Sequence, residues 1–542
     1  MSFEIKAKDL LGRIGKLKTK SGILETPLLF PVINPSIQLI NPKKIKKIGF
    51  QAIITNAYIL KKRFRDEPIK LGLKTFLDFD GPIMTDSGAY QILVYGGIQA
   101  DQKEIIEYQQ KIGSDIATIL DIPTGWKCNQ EVAKKTVKET IQRAKDFFKT
   151  KTEDNILWVG PIQGGRHLDL VRESAKIMGK MPFQINALGS PTEVMENYRF
   201  DVLVDMILTA KKNLPIDRPF HLFGAGHPFL FALAVALGCD FFDSASYALY
   251  ARHNRYMTEN GTWQLSKLDY FPCSCPNCSN KTPQDIISTS IKEREVFLAE
   301  HNLFVCIAEL RRIKQAIREG RLWELVELRT RAHPALFSAL KKIRNYTSFI
   351  EKINPTVKNR GLFFFNSTSL IRPEILHYRN KLFNNCQPAD NVKILLLLPQ
   401  THKKPYHKAY EFKKIKKLLN KFSDEQKGAI NIVFYSTPFG IIPLELDEIY
   451  PLSQNEISFP VDNETKQYIA VQILEYIKKF HYETIIMLYD SALLENKLFD
   501  LFRETFEKLK IQFYLIKMET EIHKDILDCL NNILKKNLSD NS

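Results

Sequence analysis

Residues 220–247, FHLFGAGHPFLFALAVALGCDFFDSASY, hold two short apolar runs joined by a helical stretch, and a glycine or a polar residue follows each run. The same order recurs through residues 25–245. Strands of a parallel sheet are buried on both faces and read as short apolar runs, with helices crossing between them. The sequence therefore predicts eight strands, at residues 27–33, 52–55, 82–85, 116–120, 156–162, 183–188, 220–223 and 239–242.

Eight strands alternating with helices predict an α/β fold of the (β/α)8 TIM-barrel type. A doubly wound open sheet is the alternative, but no glycine-rich nucleotide-binding motif follows the first apolar run. In a barrel the carboxyl ends of all strands meet at one face, where active sites lie. The barrel prediction therefore directs attention to the residues that follow each strand.

Polar residues and glycines follow several successive strands. One aspartate after a strand is a common helix N-cap, but three acids, an amide and an aromatic residue at neighbouring strand ends form a more specific pattern. They predict a pocket for a flat, polar, hydrogen-bonding ligand. The candidate residues are Asp86, Tyr90, Asp121, Gln163, Gly189, Ser190, Pro191, Thr192 and Asp243.

A cysteine cluster lies beyond the predicted barrel strands. Cys273, Cys275 and Cys278 fall within six residues, in a stretch whose prolines indicate a tight turn, and His301 follows on a predicted helix. Three thiolates and one imidazole are typical ligands of structural zinc, although buried cysteines can also be apolar core residues. We expect one structural Zn²⁺ per chain, held by these four side chains.

Composition narrows the class of protein. The 542 residues suffice for two to four domains, and the formal net charge of +16 favours a polyanionic partner, although solvated lysine-rich helix faces give the same balance. No apolar run approaches the ~20 residues of a membrane span, and the first residues lack the apolar stretch of a signal peptide. The eight cysteines do not suggest a disulfide framework, so we expect a cytoplasmic protein without a membrane partner.

Five separated motifs, taken together, resemble those of the tRNA-guanine transglycosylases, and their residues are similar to those of the archaeal branch of that family. The resemblance covers about residues 1–385 and implies a glycosyltransferase that replaces guanine 15 in the tRNA D-arm by 7-cyano-7-deazaguanine, in archaeosine biosynthesis. The motifs are TDSGAYQ at 85–91, QGG at 163–165, FGAGHP at 223–228, DSASYA at 243–248 and the Cys273, Cys275, Cys278 and His301 set.

The resemblance also implies roles for the pocket residues. Asp243 would be the nucleophile that forms a covalent intermediate with the ribose, and Asp86 would move protons on the two bases; the sequence alone does not decide between these roles. Asp121 would accept hydrogen bonds from the guanine edge and Gln163 would donate one to its carbonyl. Tyr90 and Phe223 would clamp the ring, and the backbone of Gly189, Ser190, Pro191 and Thr192 would bind its far side. Pro191 has no backbone N–H, so a contact from an amide at that position is lost.

A second domain follows the predicted barrel. We expect the catalytic domain at residues 1–350, with the zinc knuckle at about 271–301, a junction at 351–391 and a three-layer α/β domain at 392–542. Runs at 392–398, 430–435, 484–489 and 511–516 predict the strands of this last domain. The motif Lys404-Pro405-Tyr406 resembles one in archaeosine synthase, but the residues that flank it there are replaced here, so we expect no second activity.

Basic side chains in residues 302–350 are candidates for tRNA phosphate binding: Arg311, Arg312, Lys314, Arg318, Arg321, Lys341, Lys342 and Arg344. No segment has the pattern of the RNA-binding PUA domain. We therefore expect the chain to rely on a partner to anchor tRNA. The expected partners are a second copy of the chain, in a homodimer, and a further archaeosine-pathway protein. A non-catalytic tRNA-binding subunit of an archaeosine-pathway complex is the alternative function, and a barrel enzyme for a small phosphorylated substrate is a weaker one.

Overall fold

The computed structural model describes residues 3–89, 101–151, 155–518 and 522–539. The chain divides into two compact units, Met1–Pro355 and Thr356–Ser542. Within the described residues no helix is both long enough and apolar enough to cross a membrane.

The first unit begins with a three-stranded antiparallel sheet that the sequence reasoning did not predict. Its strands are β1 (Phe3–Asp9), β2 (Gly12–Thr19) and β3 (Gly22–Glu25). Phe3, Leu17 and Leu24 are buried in one apolar cluster with Leu28 and Phe30 of the following strand. The sheet therefore packs its apolar residues against the amino-terminal end of the barrel interior.

Eight parallel strands of the described residues form a closed barrel, and the predicted (β/α)8 fold is confirmed. The open-sheet alternative is wrong, because the eighth strand pairs with the first, with Phe241 opposite Leu28. The strands are β4 (Leu28–Ile33), β5 (Ile53–Asn56), β6 (Ile83–Asp86), β7 (Ile116–Thr118), β8 (Leu157–Ile162), β9 (Ile185–Leu188), β10 (Phe220–Leu222) and β11 (Phe241–Ser244).

Helices surround the barrel and continue beyond it. A two-stranded hairpin, β12 (Arg255–Thr258) and β13 (Gly261–Gln264), follows the last barrel strand. The described helices are Pro42–Ile48, Ala57–Phe64, Glu67–Leu71, Leu73–Leu77, Gln102–Lys111, Gln130–Thr150, Leu168–Lys180, Thr192–Glu196, Phe200–Lys211, Pro228–Ala236, Ser246–Arg252, Pro283–Ile287, Ile291–Glu319, Leu322–Thr330, Pro334–Lys342 and Thr347–Glu351, with 3-10 turns at Leu265–Lys267 and Ile343–Tyr346.

The second unit is built on a five-stranded sheet. The described strands of the whole unit are β14 (Leu362–Phe364), β15 (Ile394–Pro399), β16 (Ile430–Ser436), β17 (Gly440–Pro443), β18 (Asn455–Ile457), β19 (Thr484–Tyr489) and β20 (Gln512–Lys517). The sheet order is β17-β16-β15-β19-β20, and β14 pairs with β18 separately. The edge strand β17, which runs antiparallel to β16, was not predicted.

Helices and a continuous apolar core complete the second unit. Residues 356–391, most of the expected junction, belong to this unit, and Leu362 and Tyr378 lie in its core. The helices are Pro373–Asn385, Tyr410–Leu419, Asp424–Gly428, Asn463–Lys479, Asn496–Lys508 and Lys524–Ser539, with 3-10 turns at Ser367–Ile371, Tyr406–Lys408 and Leu444–Leu446.

Candidate active site and metal centre

A cavity of about 800 Å³ opens at the carboxyl ends of the barrel strands. Its lining includes all but one of the predicted pocket residues: Asp86, Asp121, Gln163, Gly189, Ser190, Pro191, Thr192, Phe223 and Asp243. The exception, Tyr90, lies outside the described residues. The barrel thus brings together side chains that are separated by up to 157 positions in the sequence (243 − 86).

Asp86 is the last residue of β6 and lines the cavity. Its Oδ2 accepts hydrogen bonds from Asn56 Nδ2 (2.9 Å) and the backbone N–H of Gly88 (3.3 Å). Burial raises the pKa of Asp86 to about 7, and the charges of Asp121 and Asp243 add to the rise. Both protonation states are therefore accessible near neutral pH.

Asp243, in β11, has a different environment. Its Oδ1 accepts hydrogen bonds from His221 Nε2 (2.8 Å) and from the backbone N–H of Gly224 (3.0 Å). Its Oδ2 accepts none from the part of the chain that the structure describes. Two donors on one oxygen fix the orientation of the side chain and leave the second oxygen without a donor among the described residues.

His221 is an interior residue of β10 with no exposed surface. Its ring lies parallel to Phe30 at 5.9 Å between ring centroids and is tilted against Phe223 at 4.5 Å. Within the described chain its Nδ1 has no hydrogen-bond partner. Aromatic side chains thus surround His221, and the one hydrogen bond of its ring within the described chain runs from Nε2–H to Asp243.

Asp121 and Gln163 line the cavity and are hydrogen-bonded to each other; the pair is called the recognition edge, after its predicted role. Gln163 Nε2 donates to Asp121 Oδ2, while Gln163 Oε1 accepts from the Thr124 N–H and the Ser190 hydroxyl, both at 3.0 Å. The two donors on Oε1 fix the orientation of the amide. Burial raises the pKa of Asp121 to about 6, although the hydrogen bond from Gln163 lowers it.

Gly189 leaves room for this amide. A Cβ at position 189 would lie 2.3 Å from Gln163 Nε2 and 2.6 Å from its Cδ. No real Cβ contact is so short, so any side chain at this position displaces Gln163. The glycine at the end of β9 is therefore required by the recognition edge.

Cys273, Cys275, Cys278 and His301 converge as the sequence predicts. Their candidate ligand atoms all lie within 4.8 Å of one another. His301 Nδ1 is 3.4 Å from Cys278 Sγ and 3.6 Å from Cys275 Sγ, close to the ~3.6 Å between sulfur and nitrogen ligands of one tetrahedral ion. The group could hold a metal ion.

The surroundings of His301 favour metal binding through Nδ1. Its Nε2–H donates to the carbonyl oxygen of Met257 at 2.8 Å, which leaves Nδ1 unprotonated. Tyr256 stacks on the same ring at 3.6 Å between centroids. His301 lies within the 29-residue helix Ile291–Glu319, and the three cysteines lie outside helices and strands.

A family model described as queuine tRNA-ribosyltransferase matches residues 9–335, more than half of the chain. The chain belongs to the queuine tRNA-ribosyltransferase family. As a tRNA-ribosyltransferase it is an enzyme of the glycosyltransferase class, which confirms the class predicted from its motifs. A second model, a domain of unknown function (DUF5591), matches residues 375–534.

Curated relatives of this ribosyltransferase extend over both units. A tRNA-guanine(15) transglycosylase from Saccharolobus solfataricus is 44% identical over 493 residues, which are 89% of this chain and 96% of that protein. The protein of the same name from Methanocaldococcus jannaschii is 42% identical over 491 residues, 88% of this chain and 72% of its own length. That of Aeropyrum pernix is 48% identical over 379 residues, 69% and 74% of the two chains.

Two residues that bond the pocket carboxyl groups of this ribosyltransferase were missed by the sequence reasoning. Asn56 lies opposite Asp86 in the β5–β6 pairing, and its Oδ1 also accepts from the N–H of Ile59, which caps the next helix. His221 stands two positions before Phe223, on the same face of its strand. A histidine inside a short apolar run was the signal that could have identified it.

Several of the cations expected to bind phosphate have partners within the ribosyltransferase domain. Arg312 pairs with Glu309, Lys314 with Glu25 and Lys342 with Asp205, each at 3.1 Å. These contacts reduce the charge that the three side chains offer to a ligand.

Proposed function

We propose that the protein replaces guanine 15 of tRNA by 7-cyano-7-deazaguanine, a step of archaeosine biosynthesis. The relatives named tRNA-guanine(15) transglycosylase support the reaction and the position. The observation that carries the proposal is a pair of carboxyl groups on one cavity: burial raises the pKa of Asp86 to about 7, and two hydrogen-bond donors hold one oxygen of Asp243. Such a pair suits an acid and a nucleophile acting on one bond.

Asp243 attacks the ribose in the first half-reaction. Its free Oδ2 forms a bond to C1′ as the bond from C1′ to N9 of guanine breaks, through an oxocarbenium-like transition state. The proton that the leaving guanine requires comes from Asp86, whose raised pKa keeps it protonated below about pH 7. The products are free guanine and a ribosyl ester on Asp243.

The second half-reaction reverses these roles. Ionised Asp86 takes the N9 proton of 7-cyano-7-deazaguanine, and N9 then attacks C1′ while the ester bond to Asp243 breaks. Asp86 ends protonated and Asp243 ends as a carboxylate, so the enzyme returns to its starting state. Neither a redox cofactor nor a nucleotide is consumed.

The recognition edge binds each base in the same orientation. Asp121 accepts from the exocyclic amino group and the ring N–H, and the second N–H of the Gln163 amide donates to the carbonyl oxygen. Ser190, Thr192 and the backbone of Gly189 and Pro191 lie beside the base, and Phe223 covers one face of the ring. Tyr90 is assigned to the other face from the sequence alone.

Labelled guanine provides the direct test. Wild-type protein should incorporate it into a tRNA transcript with guanine at position 15 and not into one with adenine there, and 7-cyano-7-deazaguanine should then chase the label out. Without free base, a denaturing gel should show a covalent tRNA adduct whose ribose maps to the Asp243 peptide. Asp243→Asn should lose both activities and keep tRNA binding. An adduct on Asp86 would reverse the assigned roles, and absent incorporation would refute the reaction.

The Cys273, Cys275, Cys278 and His301 group holds one Zn²⁺ in this proposal. Three sulfur ligands and one nitrogen close a tetrahedral site and leave no position for substrate, so the ion is structural. Asn302, next to His301, donates through Nδ2 to the Tyr247 carbonyl and accepts from the Met257 N–H at Oδ1. The metal would thereby stabilise the segment that follows the Asp243 strand.

The second unit has no separate activity in this proposal. Lys404 Nζ donates to the Asn455 carbonyl at 2.9 Å, and the Tyr406 hydroxyl lies 2.7 Å from that of Ser436, so both groups have structural partners. Exposed lysines of this unit, at positions 403, 413, 416 and 417, would contact tRNA phosphates. A cytoplasmic location and a homodimer, or a further archaeosine-pathway partner, complete the proposal.

A further inference from the structure

The cavity extends beyond the residues assigned to the exchanged base. Tyr198, His333, Tyr250, Leu249 and Arg255 line it as well, and these five residues are called the outer pocket. Drug-sized ligands occupy pockets of about 300–1,000 Å³, so a cavity of about 800 Å³ has room for more than one nucleobase. None of the outer-pocket residues has a role in the chemistry proposed above.

Tyr198 is the most exposed aromatic side chain of the outer pocket, with 50% of its surface accessible. Its ring is stacked on His333 at 4.8 Å between centroids and meets the edge of buried Phe200 at 5.8 Å. Among the described residues these are its ring contacts. The ring is thus supported from behind and still has accessible surface on the cavity.

The backbone at Tyr198 is held in an unfavourable conformation. Its φ is +55°, in the left-handed region that bulky residues rarely adopt and that costs of order 1–3 kcal/mol. The Tyr198 N–H donates to the Met195 carbonyl at 3.0 Å, which stabilises this turn after the helix Thr192–Glu196. A tyrosine in this position carries a cost that an asparagine or glycine would avoid, and half of the surface of the residue remains exposed.

Two arginines contact Trp126, and one of them is the neighbour of Tyr198 in the sequence. Arg199 follows Tyr198, and the guanidinium groups of Arg199 and Arg166 lie 5.8 and 5.7 Å from the ring centre of Trp126. Arg199 is also paired with Asp201 at 3.1 Å, whereas exposed Arg166 forms no ion pair with any described residue. An aromatic surface next to an arginine is the combination that binds single-stranded nucleic acid.

We propose that Tyr198 is a stacking site for the base of a nucleotide adjacent to the exchanged guanine. The inference rests on the proposed function and names a second contact of the same substrate. An enzyme that removes a base from its stack also deprives the neighbouring bases of one stacking surface. The accessible ring of Tyr198, on the same cavity as Asp243, replaces that surface.

A double-mutant cycle between protein and RNA tests this contact in the full-length enzyme. The protein variants are Tyr198→Gly, which suits the left-handed backbone and removes the ring, and Tyr198→Phe, which keeps the ring. Tyr198→Asn is a second non-aromatic variant that tolerates the same backbone. The RNAs are intact tRNA and two tRNAs that lack the base on the 5′ or the 3′ side of the target guanine.

Tyr198→Gly should lower kcat/KM on intact tRNA about ten- to a hundredfold, since stacking of one base is worth ~1–3 kcal/mol, and Tyr198→Phe should stay close to wild type. On one of the two abasic RNAs, wild type should lose the same factor and Tyr198→Gly should lose nothing more. Two results would overturn the stacking site. One is that Tyr198→Gly lowers kcat/KM on both abasic RNAs by the same factor as on intact tRNA, and the other is that Tyr198→Gly retains full activity on intact tRNA. Wild-type protein that incorporates no guanine at all would instead overturn the proposed function.

Discussion

His221 Nε2–H donates a 2.8 Å hydrogen bond to Asp243 Oδ1 from a ring that is wholly enclosed by the barrel. The Gly224 N–H bonds the same oxygen. Both donors belong to strand β10 and the turn that follows it, whereas Asp243 belongs to the neighbouring strand β11. The end of β10 therefore orients the side chain of Asp243. His221 is therefore a positioning residue for Asp243.

His221→Phe tests this role. Because Nδ1 has no hydrogen-bond partner among the described residues, phenylalanine fits the aromatic cage and removes one donor from Asp243. Hydrogen bonds to charged groups contribute ~1.5–3 kcal/mol, so kcat should fall by about ten- to a hundredfold with little change in tRNA affinity. His221→Gln, which retains a donor, should recover part of the loss. Equal kcat in wild type and His221→Phe would contradict the role.

Gly189→Ala tests the recognition edge. Its Cβ would displace the Gln163 amide, which Asp121, Thr124 and Ser190 hold in place. We expect KM for the free base to rise about tenfold or more, with tRNA affinity unchanged, because only the base contact is disturbed. Gly428→Ala is a control for the substitution itself, since this glycine lies outside the cavity and the one atom near a Cβ there is the side-chain nitrogen of Asn391, at 3.1 Å. An unchanged KM would show that Gln163 is not a base contact.

The two raised pKa values predict the pH dependence of kcat/KM for tRNA. Asp86 must be protonated to release guanine, so the rate should fall as pH rises through about 7. Asp121 must be ionised to accept from the base, so the rate should fall as pH drops through about 6. Initial rates of guanine incorporation should therefore follow a bell with a maximum between these values. A rate that still rises at about pH 8.5 would exclude Asp86 as the acid.

Removal of one thiolate tests the metal centre. Cys275→Ser should reduce the zinc content from one ion per chain and lower the unfolding temperature by about 5–10 °C, because metal binding contributes folding free energy. Cys529→Ser is the matched control, since that exposed thiol lies outside the group. Protein prepared without chelator that contains no zinc would refute the proposed ion, and activity lost on chelation with unchanged stability would indicate a catalytic metal.

Truncation after Pro355 tests the division of labour between the two units. The first unit contains the whole described lining of the cavity and the cysteine group. Exchange at saturating tRNA should be largely retained, while tRNA affinity and the slope of its salt dependence should fall with the phosphate contacts removed. A truncated protein that binds tRNA as tightly as the full chain would remove the proposed RNA-binding role of the second unit.

Local sequence pattern identified the parts of the fold that have strong periodicity. The barrel strands and four of the five strands of the second sheet fall within a few residues of their predicted positions. The missed edge strand Gly440–Pro443 is short and contains a proline, which argues against a strand except at a sheet edge. Strands β1–β3 were missed although β1 alternates in burial from Phe3 to Asp9.

Contacts between strands explain what the sequence could not provide. Asn56 and Asp86 are 30 positions apart and become partners because β5 and β6 pair in register. His221 and Asp243 meet through a similar adjacency of β10 and β11. The aspartates could be found from their motifs, whereas the raised pKa of Asp86 depends on burial and neighbouring charge, and the hydrogen bond that orients Asp243 depends on strand adjacency, which only the folded barrel determines.

Among the described residues, the N-terminal sheet covers the amino-terminal end of the barrel. Phe3, Leu17 and Leu24 fill the amino-terminal end of the barrel interior together with the inward side chains of the strands. Both bases therefore use the opening of the cavity at the carboxyl ends of the strands. Only one recognition edge serves them, and guanine must depart before its replacement can bind. On the proposed chemistry, turnover then follows ping-pong kinetics, because the ribosylated enzyme persists after guanine leaves and before the second base binds. Free guanine therefore competes with 7-cyano-7-deazaguanine for the ribosylated enzyme.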